Sequence, residues 1–178
     1  NALLAEKGYD LMTVDEVAAR VGIAKPSLYR HFESKEGLAA AALVRLLERT
    51  RDAIDAQPAT APALEKLKGV VRWALREHLE GRMPSLPSTR SALRESLARH
   101  PGYIDLLIDV SERLGAWIEE ARRGKALAPR LPPEVVLYTL FARACDPVLG
   151  MLKAGGQYSD ERIIELLLST CFAGLRAR

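Results

Sequence analysis

The chain has 178 residues, 48% of them apolar and 28% charged, with two cysteines and a formal net charge of +3 at pH 7. That length and apolar content can build a core in one or two small domains, which excludes a need for disulfide staples. Bulk charge carries no signal for nucleic acid: residues 1–48 hold six basic side chains (Lys7, Arg20, Lys25, Arg30, Lys35, Arg45) against seven acidic ones (Glu6, Asp10, Asp15, Glu16, Glu33, Glu36, Glu48), a net of −1, so only clustering of charge is informative.

The run from Thr13 to Phe32 reads as two short helices joined by a tight turn. Thr13 followed three residues later by Glu16 is a capping box that starts the first helix. Val17, Ala18 and Val21 then share one face, and small Ala18 lets a second helix cross closely. Gly22 ends the helix, because glycine takes positive φ at little steric cost and the chain turns through Val21-Gly22-Ile23-Ala24. Ile23 and Leu28 supply the apolar side of the second helix. Its other face presents Lys25, Ser27, Tyr29, Arg30 and His31, donors and flat rings suited to phosphates and base edges, on a helix that fits the major groove. From Arg20 to Lys35 there are four basic side chains against one acid, Glu33, so a locally positive face is expected.

The runs Ala5-Glu6-Lys7-Gly8-Tyr9-Asp10, Thr13 to Ala18, Gly22-Ile23 and Leu28 to Leu38 closely resemble the TetR family of dimeric bacterial transcriptional repressors, over about the first quarter of the chain. The resemblance implies an all-α homodimer, with an N-terminal helix-turn-helix three-helix domain and a larger C-terminal helical domain that binds a small molecule and dimerises. It also implies that Lys25, Pro26, Ser27, Tyr29, Arg30 and His31 lie on the recognition helix, with Thr13 and Lys35 as phosphate contacts. Relatives commonly carry a capping serine where this chain has Ala24, so the recognition helix is expected to start without a side-chain cap. Relatives also have more of the first helix and a basic arm, so a segment is expected before Asn1.

Helical patterning continues from Ser34 to Asp55, with Leu38, Ala42, Leu43, Leu46, Leu47 and Ile54 inward, and this helix connects the reader to the rest. Residues 1–48 are assigned to DNA binding and 49–178 to effector binding and dimerisation. Gln57 to Pro62 is a break and a new helix start, since proline is tolerated in a first turn. The next helix runs to about Glu80, with Leu64, Leu67, Val71, Leu75, His78 and Leu79 inward. Gly81 to Pro87 breaks it. Further helices are expected at about Thr89 to Arg99, Gly102 to Arg123, Pro133 to Ala154 and Asp160 to Ala177, and no strand pattern is present.

Tyr103, Leu107, Val110, Leu114, Trp117 and Ala121 form one apolar stripe, as a core helix or a cavity wall does. Trp73, Met83, Leu86, Tyr103, Trp117, Tyr138, Phe141 and Met151 are the bulky candidates for a cavity that suits a hydrophobic or aromatic effector. His78, Arg90, Arg94, Arg143 and Asp146 are the polar groups among them. Arg143 and Asp146, three apart, make either an intrahelical ion pair or an anchor for an effector's polar end.

The helix from Pro133 to Ala154 is apolar nearly all round, which favours burial against a second copy. Leu137, Leu140, Val148 and Leu152 there, with Ile163, Leu167, Thr170 and Gly174 on the last helix, are the expected four-helix dimer interface across a two-fold axis. Pro147 is expected to kink the first of these helices by freeing the carbonyl of Arg143.

No apolar run approaches the roughly 20 residues that span a bilayer, and no signal peptide is visible, so a soluble, cytoplasmic protein without a membrane partner is expected, nucleoid-associated when DNA-bound. Cys145 and Cys171 have no CxxC or Cys/His ligand spacing and are expected as buried free thiols. The three histidines are scattered, and no nucleophile–base, HExxH or paired-carboxylate pattern appears, so no catalytic residue, metal site or cofactor is expected. The expected function is a ligand-responsive regulator, most readily a repressor. Two recognition helices about 34–36 Å apart would enter successive major grooves of a near-palindromic double-stranded operator, and the effector would release them. The alternative is a ligand-independent or architectural DNA-binding protein with a fully packed C-terminal domain.

Overall fold

The computed structural model describes residues 2–84 and 91–174, and contains ten helices and no strand among them. A head is formed by α1 (Ala2–Leu11), α2 (Val14–Val21) and α3 (Lys25–Tyr29), and α4 (Lys35–Asp55) leads out of it. The body comprises α5 (Ala63–Leu79), α6 (Ala92–Ala98), α7 (Pro101–Arg123), α8 (Pro133–Ala144), α9 (Pro147–Ala154) and α10 (Asp160–Ala173).

Local chemistry sets the ends of these helices. The Thr13 hydroxyl accepts from Glu16 N–H at 3.2 Å while Thr13 N–H donates to the Glu16 carboxylate at 3.0 Å, so the capping box is present in full. Gly22 closes α2 at φ 75, in the left-handed region. Ser34 caps α4 by accepting from Gly37 N–H at 3.0 Å.

Because α4 runs unbroken through residue 48, it belongs to both parts of the molecule. Its Ala39, Ala40 and Leu43 pack with Leu3, Leu4, Tyr9 and Met12 of the head. Leu93 and Leu97 of α6 join this same cluster, and Ser91 donates to Asp10 at 3.2 Å, so α6 braces the head. The main core lies farther on, around α5 and α7. Leu67, Leu75, Val110 and Ile118 are fully buried there together with Ile163 of α10. Truncating one such leucine to alanine costs about 2–5 kcal/mol by lost transfer energy and the cavity left behind.

The stretch expected as one kinked helix is two. Pro147 has no N–H for the Arg143 carbonyl, which instead takes the Asp146 N–H at 3.3 Å. The Asp146 carboxylate then accepts from Val148 N–H at 2.9 Å and caps α9. The segment Pro133–Ala154, 22 residues, is nonetheless long and apolar enough by length and composition to cross a membrane, which corrects the reading that no run approaches that size. Two features account for its composition in another way. Val136, Leu140 and Leu149 face the body's core, and the ion pair of Arg143 with Asp146 sits at the junction, where hydrocarbon would penalise it. The expected starts at Thr89 and end at Ala177 lie outside the described residues.

Candidate DNA-reading head and effector cavity

Among the residues of α3, Leu28 is buried against Val14 and Ala18, while Lys25, Pro26 and Tyr29 are exposed. Ser27 is half-buried and bonded by Arg30, whose guanidinium donates to the serine hydroxyl at 3.2 Å. Arg30 and His31 are exposed in the turn that follows the helix, where His31 and Phe32 N–H both donate to the Leu28 carbonyl at 3.0 Å. Ala24 precedes α3 with no side-chain cap, as its methyl group requires. Thr13 is exposed at the start of α2. Lys35 opens α4 with its ammonium 4.3 Å from the centre of the Tyr9 ring, a cation over an aromatic face.

The positive face is narrower than the count of bases between Arg20 and Lys35 implied. Arg20 forms a two-pronged pair with Glu6 at 2.9 and 3.0 Å, and Lys25 pairs with Asp15 at 2.8 Å, which raises the lysine's pKa. Both acids lie outside the counted window and are brought in by folding.

The body contains a cavity of about 230 Å³, one and a half times an engineered cavity of about 150 Å³ that stays dry and binds benzene. Its walls come from α4 (Leu43, Leu46, Leu47, Thr50), α5, α7, α8 and the Met83-Pro84 edge, and none of its lining residues is charged. Its few polar side chains are neutral. The Thr50 hydroxyl donates to the Leu46 carbonyl at 2.9 Å, and burial pushes the Tyr103 hydroxyl and the Cys145 thiol to higher pKa. A hydrocarbon or aromatic body therefore fits, whereas an ionised group inside finds no charged partner.

Of the residues predicted for this cavity, Trp73, Met83, Tyr103 and Phe141 line it. The others do not. Trp117 packs on the core beneath the Lys66 ammonium, Tyr138 is 66% exposed, Met151 is 70% exposed, and Arg94 is exposed on α6. His78 puts Nδ1 3.2 Å from the Ala144 carbonyl and ties α5 to α8. Arg143 and Asp146 pair with each other, and neither lines the cavity. Leu86 and Arg90 lie outside the described residues. The α4 wall, Thr50 above all, was missed as cavity lining; its signal was an inward stripe that runs past the length a three-helix head can cover.

The expected dimer residues divide. Leu140, Ile163 and Leu167 are consumed by the chain's own core, and Leu137 and Leu152 pack against it. Val148, Thr170 and Gly174 are exposed, and Val135, Tyr138 and Met151 add large apolar side chains to the surface of α8 and α9. Cys145 and Cys171 are free thiols, half-buried and buried.

Comparison with known proteins places residues 1–42 in the family described as bacterial regulatory proteins, tetR family. The HTH-type transcriptional regulator TcmR of Streptomyces glaucescens is 26% identical over 139 residues, 76% of this chain and 62% of that protein, so the chain spans less than two thirds of that relative's length. The structure of the fatty acid degradation regulator FadR from Bacillus halodurans matches at a TM-score of 0.70 and 20% identity, covering 99% of this chain and 92% of that one. FadR from Bacillus subtilis in complex with stearoyl-CoA matches at 0.62 and 19% identity, covering 98% and 94%. At these identities the solved structures speak for the fold, and residues 1–42 for kinship. Over residues 1–42 the chain is thus similar to the tetR family of bacterial regulatory proteins.

Proposed function

We propose that the chain is a ligand-responsive transcriptional repressor that binds a near-palindromic operator as a homodimer and is released by a small hydrophobic or aromatic effector. One observation carries this reading: the helix that leaves the DNA-reading head, α4, also forms a wall of the apolar cavity through Leu43, Leu46, Leu47 and Thr50. An occupant therefore touches the element that holds the reader. The stearoyl-CoA bound by the similar Bacillus subtilis protein supports an effector with a hydrocarbon body.

In this reading Tyr29, Arg30 and His31 face base edges, and Thr13, Lys25 and Lys35 face phosphates. The second copy docks on the exposed apolar side chains of α8 and α9 and on the small surface of α10 at Thr170 and Gly174. The protein works in the cytoplasm. A fully packed C-terminal domain, the architectural alternative, is disfavoured by the open cavity.

Selection of bound sequences from random duplex DNA tests the head. A palindromic motif preferred over nonspecific DNA by about 10³ or more is expected, and salt-sensitive binding without a motif would favour the architectural reading. A rise in melting temperature with uncharged apolar compounds tests the cavity. Sedimentation of Met151→Glu against the unaltered chain tests the dimer, with monomer expected for the variant.

A further inference from the structure

Glu77 stands on α5 and is only 6% exposed, on a helix face otherwise given to apolar packing. A carboxylate there demands compensation. Arg49 of α4 donates to Oε2, Arg82 Nε lies 3.2 and 3.1 Å from Oε1 and Oε2, and Arg82 Nη2 donates to Oε1 at 2.5 Å. Arg49 also donates to the Arg82 carbonyl at 3.3 Å. The hydrogen bonds from Arg82, with the charge of Arg49 behind them, hold the carboxyl below the usual glutamate range, so it is ionised. Gly81, at φ 68, turns the chain so that Arg82 N–H donates to the Glu77 carbonyl at 2.8 Å.

The position of this cluster gives it a use. Arg49 is followed on α4 by Thr50, and Arg82 by Met83 and Pro84, and all three of these neighbours line the cavity. The carboxylate thus joins two walls of the cavity at their edge, one of them the helix that carries the head.

We propose that Glu77 is a positioning residue that couples cavity occupation to α4: through Arg49 and Arg82 it fixes the spacing between α4 and the Met83-Pro84 edge, and an occupant that spreads the edge acts on α4 through this link. The proposal rests on reading the cavity as the effector site. A pair that only added stability would be replaceable by neutral groups without changing how the two binding events communicate.

The test uses N-phenyl-1-naphthylamine, an uncharged fluorophore that brightens in apolar surroundings, and the duplex obtained by selection. The readout is the ratio of the DNA Kd at saturating probe to the DNA Kd without it, a coupling factor that typically falls between about 5 and 150. Glu77→Gln and Arg49→Gln are each expected to bring that ratio to within about twofold of one while the probe still binds, and the double variant no further, because both break one link. Arg72→Gln, which removes a surface pairing with Glu161 and Glu165, is expected to keep the full ratio. A full ratio in Glu77→Gln with the probe bound would overturn the link and leave the effector reading standing. A ratio of one in the unaltered protein would overturn the effector reading and the link with it. Should Glu77→Gln fail to fold, Arg49→Gln, which leaves Glu77 paired with Arg82, decides by the same ratio.

Discussion

The Lys35 ammonium lies 4.3 Å from the centre of the Tyr9 ring, and the Tyr9 hydroxyl donates to the Glu36 carboxylate, so one aromatic side chain fixes both residues that open α4. Burial, and then the bond to Glu36, raise the Tyr9 pKa, which keeps the hydroxyl protonated and donating. An exposed cation over a ring is worth about 0.5–1 kcal/mol. Tyr9→Leu is therefore expected to weaken every DNA duplex two- to fivefold, by about that energy, with an unchanged salt slope. Lys35→Ala is expected to lower the slope of log K against log salt by about one, as loss of a phosphate contact does. Titrations at several salt concentrations separate the two.

Arg30 leans on Ser27 and is unpaired with any acid among the described residues, which leaves its guanidinium free for a base edge. Arg30→Ala is expected to cost about 1–3 kcal/mol on the preferred duplex and to relax base choice at one position in each half-site. Equal losses on all sequences would show that Arg30 positions rather than reads.

The head has one good helix cap and one missing cap. Thr13→Ala is expected to destabilise by about 1 kcal/mol, since it removes a hydroxyl that satisfies Glu16 N–H. Ala24→Ser adds the corresponding acceptor before α3 and is expected to stabilise by about 0.5–1 kcal/mol. Denaturant midpoints of the two variants, with opposite signs, check this.

Glu16 contributes to the pH dependence of the head, beside Glu6 and Glu36, whose pKa values are also lowered by hydrogen bonds from Arg20 and Tyr9. The hydrogen bond from Lys7, then those from Thr13, lower the Glu16 pKa from 4.5 to about 2. A carboxyl depressed on folding contributes stability that is present above its unfolded pKa and is lost as pH falls through 4.5 toward about 2. Melting temperature is expected to drop across that window, and less steeply in Glu16→Gln.

Narrowing the cavity separates its two roles as void and as site. Ala144→Leu adds a branched side chain to a wall residue whose carbonyl still serves His78. Its melting temperature is expected to stay level or rise, while the rise caused by N-phenyl-1-naphthylamine disappears. A retained response would place the probe elsewhere.

The head was legible in the sequence because its determinants are local. Thr13 with Glu16, Gly22 and Ser34 act within four residues, and all appear where their spacing put them. Folding changed what depended on distant partners. Glu6 reaches Arg20 across fourteen positions, and Leu140, Ile163 and Leu167, apolar like any interface residue, are taken up by the chain's own core. Apolar periodicity fixes that a face is covered and is silent on whether the cover is another helix, a ligand or a second copy. Trp73, Tyr103 and Phe141 could thus be placed on inner faces, whereas Glu77, a single acid in such a face, passed without remark although its two arginine partners lie 28 and 5 positions away.

The length of α4 has a mechanical meaning. At about 1.5 Å per residue, 21 residues make a rod of about 30 Å with the reader at one end and Asp55, paired with Arg113 at 2.5 Å, at the other. Pivoted at that far pairing, a swing of about 10° carries the near end about 5 Å along the duplex, more than the 3.4 Å rise of one base step. In the proposed mechanism, an occupant that shifts the rod's middle by about 2.5 Å is thus doubled at the reader into a loss of register with the DNA.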